Sequence, residues 1–373
     1  MDTCNPEFEG LARQAGGIDC AHAGLVSFQS PFSLPSWTMA VIEVTLIAIA
    51  VAGLLHALRW RRERGDVTNL VVWCSSVVAT VVIEPITYFP QWFGLDHRIG
   101  LVFIHNQFSV QLLFNRLPLY IVAMYPAFAY TGFALVQRAG IVRRCRPAVA
   151  AAASATTFFA LFEVIDHVGP QLKWWIWSYT VPSADPTFGA VPYASLTGFN
   201  LAIPFGIVFF SIVLCRRSQN LARNVVLASL ASWPALVLSA SGPGAVLGVV
   251  DVHADTARLV ATWCYVGLAV AVTVRAFAAV LRRRSSGDEP QGSDWFAPAA
   301  IVSYLIVCVV VWIAALPDYF DEHGGLTADG GHTSLLAMSA VCALACSVLL
   351  AVSEFAARRS NSIAPVPYLQ RSR

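Results

Sequence analysis

The stretch LFEVIDHVGPQLKWWIWSY (residues 161–179) places ionisable side chains directly after a long apolar run. Glu163, Asp166 and His167 follow an i, i+3, i+4 spacing, which puts all three on one face of a helix. Two carboxyl groups beside a histidine are the residue types that general acid and base catalysis uses. Ionisable side chains inside an apolar segment are costly, and each one therefore marks a candidate functional site.

Two more carboxylates lie within apolar segments, Glu43 and Glu84. Counted from the nearer end of its segment, each lies at about the depth of Glu163, roughly 7–10 Å below the surface at ~1.5 Å per residue. Glu84 precedes Pro85, and a proline there opens or bends a helix. We therefore predict one layer of carboxylates from three helices. The alternative is that they are interfacial residues that reach up to water.

The elements that position these residues are membrane helices. Of the 373 residues, 57% are hydrophobic and 12% are charged, whereas soluble proteins carry roughly 25% charged residues. We predict an all-α, polytopic integral membrane bundle with about nine transmembrane helices, each near the ~20 residues that a bilayer requires. The predicted spans are 36–58, 67–89, 117–137, 147–168, 197–215, 224–250, 257–281, 296–316 and 333–357. The sequence SGPG at 241–244 predicts a break or an early end in the sixth span.

The arginines predict the orientation of the bundle. With the N-terminus outside and the C-terminus in the cytoplasm, 19 of the 24 basic residues lie on the cytoplasmic side, as the positive-inside rule requires. The predicted organisation is an extracytoplasmic tail (1–35), one transmembrane domain (36–357, with the site in 36–215) and a cytoplasmic tail (358–373). We expect a plasma membrane location, and 23 arginines against one lysine favour a GC-rich, bacterial source. Cys4 and Cys20 would face an oxidising compartment, where they are able to pair.

Two loops flank the carboxylate layer on the outer side. The first contains LVFIHNQFSVQLLF (residues 101–114), which is too apolar for a solvated loop and predicts a re-entrant or interfacial helix. The second begins with KWWIWSY (173–179), whose aromatic residues are typical of an interfacial belt. Together they favour a lid over an apolar pocket that opens toward the outer leaflet. Its candidate substrate-binding residues are Glu43, His105, Asn106, Trp174, Trp175, Trp177, Tyr179 and Asn200.

The chain lacks the motifs of several common enzyme classes. It has no phosphate-binding or dinucleotide glycine motif, no nucleophile elbow, no HExxH and no Cys/His cluster. We therefore predict no cofactor, no metal site and no nucleic-acid partner. The outer side has few arginines and lysines, which argues against a polyanionic substrate. Carboxylic acids beside aromatic rings, whose faces stabilise positive charge, instead suit protonation of an alkene.

The order of Asp166, Trp175-x-Trp177 and FGAVPYASLTGF (188–199) resembles the integral-membrane carotenoid biosynthesis proteins, which include carotenoid hydratases. In that family an aspartate near a helix end precedes tryptophans, a Gly-Val-Pro turn, an asparagine and a Gly-Trp pair. This chain has His167 where family members often have a proline directly after the aspartate. It lacks the asparagine, with Ser195 nearest to that position, and it has Phe199 in place of the tryptophan. The resemblance covers spans two to five, where Glu84 is also followed by a proline- and glycine-containing stretch, and it implies isoprenoid chemistry.

Three functions are compatible with these patterns. The first is a membrane enzyme that hydrates, cyclises or isomerises an isoprenoid or polyene lipid, with Glu84 and Asp166 as acid and base. Glu163 and His167 would tune them, and His105 and Asn200 would orient substrate or water. The second is a proton-coupled transporter, favoured by Pro204 and by the SGPG sequence, since such proteins use broken helices. The third is a non-catalytic scaffold or lipid-binding subunit.

Overall fold

The structure, a computed structural model, describes residues 5–18, 23–96, 100–181, 184–248, 254–282 and 294–361. Its helices are α1 (Pro6–Gln14), α2 (Trp37–Arg64), α3 (Thr68–Tyr88), α4 (Leu119–Arg138), α5 (Ile141–Arg144), α6 (Pro147–Asp166), α7 (Ile203–Cys215), α8 (Leu221–Gly248), α9 (Ala254–Arg282), α10 (Phe296–Phe320) and α11 (Leu336–Asn361). A π-helical segment, Ser195–Ala202, leads directly into α7. Short 3-10 turns lie at Pro31–Ser33 and Pro90–Phe93.

Within the described ranges, eight helices are long and apolar enough to cross a membrane: α2, α3, α4, α6, the π-helical segment with α7, α9, α10 and α11. This confirms a multi-pass helical bundle. The helix predicted at 224–250 is present as α8, a further helix of 28 residues. It runs unbroken through 241–244, so the predicted interruption is wrong. Helices in a membrane tolerate Gly and Pro because neighbouring helices satisfy the freed backbone groups.

Helices α4 and α6 form the centre of the bundle. In the most apolar window of each, 89% of the residues are buried, against 28% in α9 and 22% in α11. The two helices pack against each other, and α2 and α3 pack on α4 while α7, α9 and α11 pack on α6. Close approach depends on small residues. A Cβ on Gly132 of α4 would lie 2.8 Å from the Ser154 carbonyl oxygen of α6.

The strands are short and lie between the helices: β1 (Val26–Phe28), β2 (Phe103–His105), β3 (Val110–Leu112), β4 (Leu117–Pro118), β5 (Trp175–Trp177), β6 (Thr187–Phe188) and β7 (Val191–Pro192). They form a β1–β3–β4 sheet and two antiparallel ribbons, β2–β5 and β6–β7. The predicted re-entrant or interfacial helix at 101–114 is therefore wrong, because this segment forms β2 and β3. The β-branched and aromatic residues of VFIH fit a paired strand, and β5 supplies the partner.

The segment before α2 is folded onto the rest of the chain. Helix α1 packs on β2 and β5 through an apolar cluster of Phe8, Leu11, Ala12, Ala15, Ile18, Leu101, Ile104 and Ile176. Strand β1 pairs with β3 in register Val26 to Leu112. Residues Cys4 and Cys20 lie outside the described residues. The division into tails and one membrane domain stays a prediction, although α1 and β1 tie the first segment to the strands between the helices.

Side-chain contacts join the arginine-rich ends of four helices. Arg138 at the end of α4 donates to Glu354 of α11 at 3.0 Å and to the carbonyl of Asp294, two residues before α10. His56 of α2 lies 3.1 Å from the Asp294 carboxylate. The predicted cytoplasmic ends thus meet at one end of the bundle. The orientation of that end relative to a membrane stays a prediction.

Candidate functional site

At the other end of the bundle, a small internal cavity brings together several of the predicted site residues. Its volume is about 30 Å³, room for about one or two water molecules. Every lining residue except Phe199 is buried. The lining consists of Glu84, Phe103, His105, Ile121, Met124, Tyr125, Phe162, Asp166, Trp175, Trp177, Ser195 and Phe199. Two carboxylates from different helices therefore share one cavity under aromatic walls; we call it the carboxylate cavity.

Asp166 is the last residue of α6 and is fully buried. Its Oδ2 accepts a hydrogen bond from Ser195 Oγ at 3.0 Å and lies 3.3 Å from Asn200 Nδ2. The same amide donates to Glu163 Oε1 at 2.6 Å. Asn200 thus bridges the two carboxylates that the helical spacing placed on one face. Its position in the π-helical segment also explains why Ser195 and Asn200, five residues apart, both reach the end of α6.

Glu84 approaches the carboxylate cavity from α3. It is 2% exposed, and within the described part of the chain its Oε2 has one weak hydrogen-bond contact, from Thr87 Oγ1 at 3.4 Å. Pro85 lies three residues before the end of α3 and lacks the N–H that would bond the carbonyl four residues back. The helix continues to Tyr88 and ends there. The Glu84 carboxyl group is therefore held near the last turn of α3, across the carboxylate cavity from Asp166.

Strands from the two loops that were predicted as a lid line the carboxylate cavity. Strands β2 and β5 pair antiparallel, with Phe103 opposite Trp177 and His105 opposite Trp175. Because side chains alternate across a strand, these four residues point to one face and line the carboxylate cavity. Ile104 and Ile176 point to the other face, where α1 covers them. We call β2, β5 and α1 the lid.

The histidines at the site are neutral near pH 7. Burial lowers the pKa of His105 to about 3, and its Nδ1 lies 3.0 Å from the Tyr120 hydroxyl. Burial lowers the pKa of His167 to about 4, against the opposing effect of the nearby Asp166 charge. His167 Nδ1 lies 2.6 Å from Ser334 Oγ, and its Nε2 lies 3.3 Å from Glu163 Oε2. That second contact lacks the geometry of a hydrogen bond.

No lysine or arginine in the described part of the chain lies at ion-pair distance from Glu84, Glu163 or Asp166. Their partners are an amide, hydroxyl groups and one neutral imidazole. The buried atoms Asp166 Oδ1, Trp175 Nε1 and Trp177 Nε1 have no hydrogen-bond partner within the described residues. Such atoms are available to bind a water molecule or a substrate group. Carboxyl groups in these surroundings can hold and release a proton.

The family model of a domain of unknown function (DUF7802) matches residues 35–319. The chain belongs to this family. No curated protein and no solved structure matches the chain significantly. The DUF7802 match contains every lining residue of the carboxylate cavity but ends before Ser334, which contacts His167. The family description names no reaction, so the resemblance to carotenoid biosynthesis proteins stays a prediction.

Four of the predicted substrate-binding residues do not line the carboxylate cavity and instead make hydrogen bonds to the segments around it. Glu43 accepts the backbone N–H groups of Ser109 and Val110 at 3.1 and 3.4 Å. Asn106 donates to the carbonyls of Ala15 and Lys173. Two aromatic residues complete this set: Trp174 donates to Thr38 Oγ1, and Tyr179 donates to the carbonyl of Ala190. Glu43 thus contacts the backbone at the start of β3 and not the carboxylate cavity.

Several cavity residues were missed by the sequence reasoning. The sequence did offer a clue to Ser195, because this residue lies nearest to the asparagine position of the family that the chain resembles. Met124 and Tyr125 from α4 and Phe162 from α6 looked like ordinary apolar helix residues. The hydrogen bond between Ser334 and His167 was not predictable from local sequence, because the two residues lie 167 positions apart in the chain. Within the described residues, no group of three or more His, Cys, Asp or Glu side chains could hold a metal ion.

Proposed function

We propose that this protein is an integral membrane enzyme that performs carboxylate acid–base chemistry on an apolar isoprenoid or polyene lipid. The observation that carries this proposal is the pair Glu84 and Asp166, on separate helices, facing one water-sized cavity with aromatic walls. Neither carboxylate has a cationic partner within the described residues, so neither is committed to an ion pair. Trp175, Trp177 and Phe103 supply the ring faces that stabilise a cation.

The simplest reaction for this arrangement is the hydration of a double bond. The protonated member of the Glu84–Asp166 pair donates a proton to one alkene carbon, and a carbocation forms at the other. A water molecule in the carboxylate cavity attacks that carbon, and the second carboxylate accepts the proton that the water loses. The net change is the addition of one water, and transfer of the proton back across the cavity restores the pair.

The same residues support cyclisation or isomerisation. In those reactions the cation loses a proton from a neighbouring carbon to the second carboxylate, and no water is added. The volume of about 30 Å³ admits only a water or a reacting group, so the bulk of a lipid substrate must lie elsewhere. Ser195 and Asn200 fix the orientation of Asp166, and Asn200 also holds Glu163.

A proton-coupled transporter is the second candidate. One observation favours it: the π-helical segment Ser195–Ala202 just before Pro204. Segments of this type are frequent at functional sites, and transporters use irregular helices near their ion sites. The carboxylate cavity would then be a relay in which Glu84 and Asp166 exchange protons. A scaffold or lipid-binding subunit would use the same bundle without any proton transfer.

We also propose a bacterial plasma membrane location, with the N-terminus outside and the lid on the outer side. The arginine distribution supports this orientation. The substrate is then a lipid of that membrane, which reaches the site from the outer leaflet. Fusion of a reporter that is active only in the cytoplasm to residue 373 should give a signal. A silent fusion, with protein present in the membrane, would contradict the orientation.

The deciding experiment is lipid extraction and mass spectrometry of cells supplied with polyprenoid precursors. Cells with the wild type should contain a product heavier by one water, or an isomer with a new retention time. Asp166→Asn should lack it, whereas Asp318→Asn, an exposed carboxylate at the end of α10, should retain it. Identical lipids in all three strains would reject the enzyme. Proton uptake into proteoliposomes that requires Asp166 would then identify a transporter.

A further inference from the structure

A second, larger cavity lies between α6, the π-helical segment with α7, α8 and α9. Its volume is about 470 Å³, within the range of about 300–1,000 Å³ that is usual for ligand pockets. Its walls are almost entirely hydrocarbon and include Ala148, Ala152, Ala155, Leu201, Phe205 and Leu268. We call it the apolar groove.

Small side chains on α6 leave this space open. Ala148, Ala152 and Ala155 are four and three residues apart, so they share one helix face. The facing helices contribute larger residues, Leu201 and Phe205 on one side and Leu268 on the other. The hydroxyl of Thr197, one of the few polar groups on the wall, is already bonded to the carbonyl of Tyr193 at 3.0 Å. The walls thus offer little to a charged or hydrogen-bonding group.

The π-helical segment borders both cavities. Ser195 and Phe199 line the carboxylate cavity, whereas Thr197, Leu201 and Ala202 line the apolar groove. One turn of helix therefore separates the wall of one from the wall of the other. Phe199 at this boundary is only half-buried, although its neighbours Gly198 and Asn200 are buried.

The apolar groove is long as well as apolar. The hydrogen bond from Ser195 to Asp166 places the start of the π-helical segment level with the end of α6. Ala148 lies 18 residues before Asp166 in the same helix. At 1.5 Å per residue this is roughly 27 Å, close to the ~30 Å thickness of the hydrocarbon core. The wall of the apolar groove thus follows α6 from Ala148 to Ala155 and reaches toward the carboxylates at Thr197 of the π-helical segment.

We propose that the apolar groove binds the hydrocarbon chain of the lipid whose double bond reacts in the carboxylate cavity. The ligand class is a long isoprenoid or polyene chain without a charged group along its length. Its reacting end passes Phe199 and meets Asp166, which resolves the mismatch between a water-sized cavity and a lipid substrate. This assignment of the chain rests on the proposed function, whereas the binding of an apolar chain in the apolar groove is testable without turnover.

The test is binding of all-trans-retinol, an isoprenoid polyene alcohol, to the purified full-length protein in detergent micelles, followed by retinol fluorescence. Ala152→Phe fills the middle of the apolar groove and should weaken binding at least tenfold. Ala148→Phe lies at the far end, where Ala148 is exposed, so it should fold normally and weaken binding several-fold. The matched control is Ala299→Phe on the exposed face of α10, which should bind like the wild type. A phospholipid with a fluorescent acyl chain serves as the second probe.

Equal retinol binding by the wild type and by both groove variants would overturn the proposal. Phospholipid binding as tight as retinol binding, and equally weakened by Ala152→Phe, would also overturn it, because the apolar groove would then hold bulk membrane lipid. The failure of the proposed function looks different. In that case the groove variants still lose retinol, but the cellular lipids are the same with the wild type and with Asp166→Asn.

Discussion

Each end of the bundle holds carboxylates that are wholly or partly buried, but the two ends give them different partners. At the arginine-rich end, Glu354 lies 2.9 Å from Arg138 and Asp294 lies 3.1 Å from His56. At the lid end, Asp166 and Glu163 are held by Ser195 and Asn200. One end pairs each of these acids with a basic side chain, and the other surrounds its acids with neutral groups.

The arginine-rich network extends through three further side chains. His56 Nδ1 lies 2.6 Å from the Tyr130 hydroxyl, which accepts from Asn69 at 2.9 Å. Asn69 and Gln137 exchange two hydrogen bonds of 3.0 Å. Burial alone would raise the pKa of Asp294, but the hydrogen bond and charge of His56 lower it below the usual value. A hydrogen-bonded network of this kind joins several helices, and we interpret it as structural.

This difference in partners distinguishes carboxylates with a structural role from carboxylates with a functional role. A carboxylate fixed in an ion pair stabilises the fold and keeps its charge. A carboxylate held by an amide and a hydroxyl can lose or gain a proton without leaving a buried cation behind. Substitutions at the two ends should therefore have different effects. Those at the arginine-rich end should lower stability, and those at the lid end should lower activity.

The largest expected effect is on activity at the lid end. Glu84→Gln keeps the shape of the side chain but removes its ionisable carboxyl group. Product formation should therefore fall about 10²- to 10⁴-fold, the usual contribution of a general acid or base. The midpoint of thermal unfolding in detergent should stay close to that of the wild type. Mass spectrometry of the product and an unfolding scan are the two measurements. Activity above a tenth of wild type would remove Glu84 from the reaction.

The second effect is on stability at the arginine-rich end. Arg138→Met leaves Glu354 partly buried without its cation, and the free energy of unfolding should fall by about 1–3 kcal/mol. The unfolding midpoint should drop by several degrees, while product formation below that midpoint remains normal. Arg138→Met combined with Glu354→Leu should recover much of the loss. An unchanged midpoint, or a specific loss of activity, would contradict the structural role of the arginine-rich end.

The third effect concerns the lid. A Cβ on Gly169 would lie 2.3 Å from the ring of Trp175, so Gly169→Ala must displace that ring from the wall of the carboxylate cavity. We expect product formation to fall about tenfold, since about 1.4 kcal/mol of lost positioning is enough. Gly169→Ala with Trp175→Phe removes the colliding atoms and should recover part of the activity. If the double variant is no better than the single one, the displacement is not the cause.

The smallest effect is a pH dependence of stability. The folded protein holds the pKa of His167 at about 4 and that of His105 at about 3, below the ordinary value of 6.5. Between pH 6.5 and these values the unfolded chain binds more protons, so stability falls as the pH falls. Each histidine contributes at most about 1.4 kcal/mol per pH unit. Unfolding midpoints from pH 7.5 to 4.5 should show this slope.

His167→Gln is the variant that isolates this slope. It keeps a hydrogen-bonding group near Ser334 and Glu163 but cannot take up a proton, so its stability should depend less on pH below 6.5. Identical slopes for the wild type and His167→Gln would show that His167 does not titrate as described.

The amino-acid sequence by itself determined the membrane helices and the arginine-rich ends. Long apolar runs and helical spacing are local properties, because a bilayer forces each crossing segment to satisfy its own backbone. The spacing of Glu163, Asp166 and His167 likewise predicted their common helix face, and all three are buried together. These features depend on residues within a few helical turns of one another, so they are visible in the sequence itself.

Only the tertiary structure decided how the carboxylates are used. Glu43 and Glu84 look alike in sequence, yet Glu43 binds the backbone of Ser109 and Glu84 faces Asp166. Segment 101–114 forms strands because β5, some 70 residues later, pairs with β2, and because β1 and β4 pair with β3. The apolar groove exists because four helices meet around the alanines of α6. Such contacts join residues far apart in the chain, and their geometry is settled by packing, which local spacing does not encode.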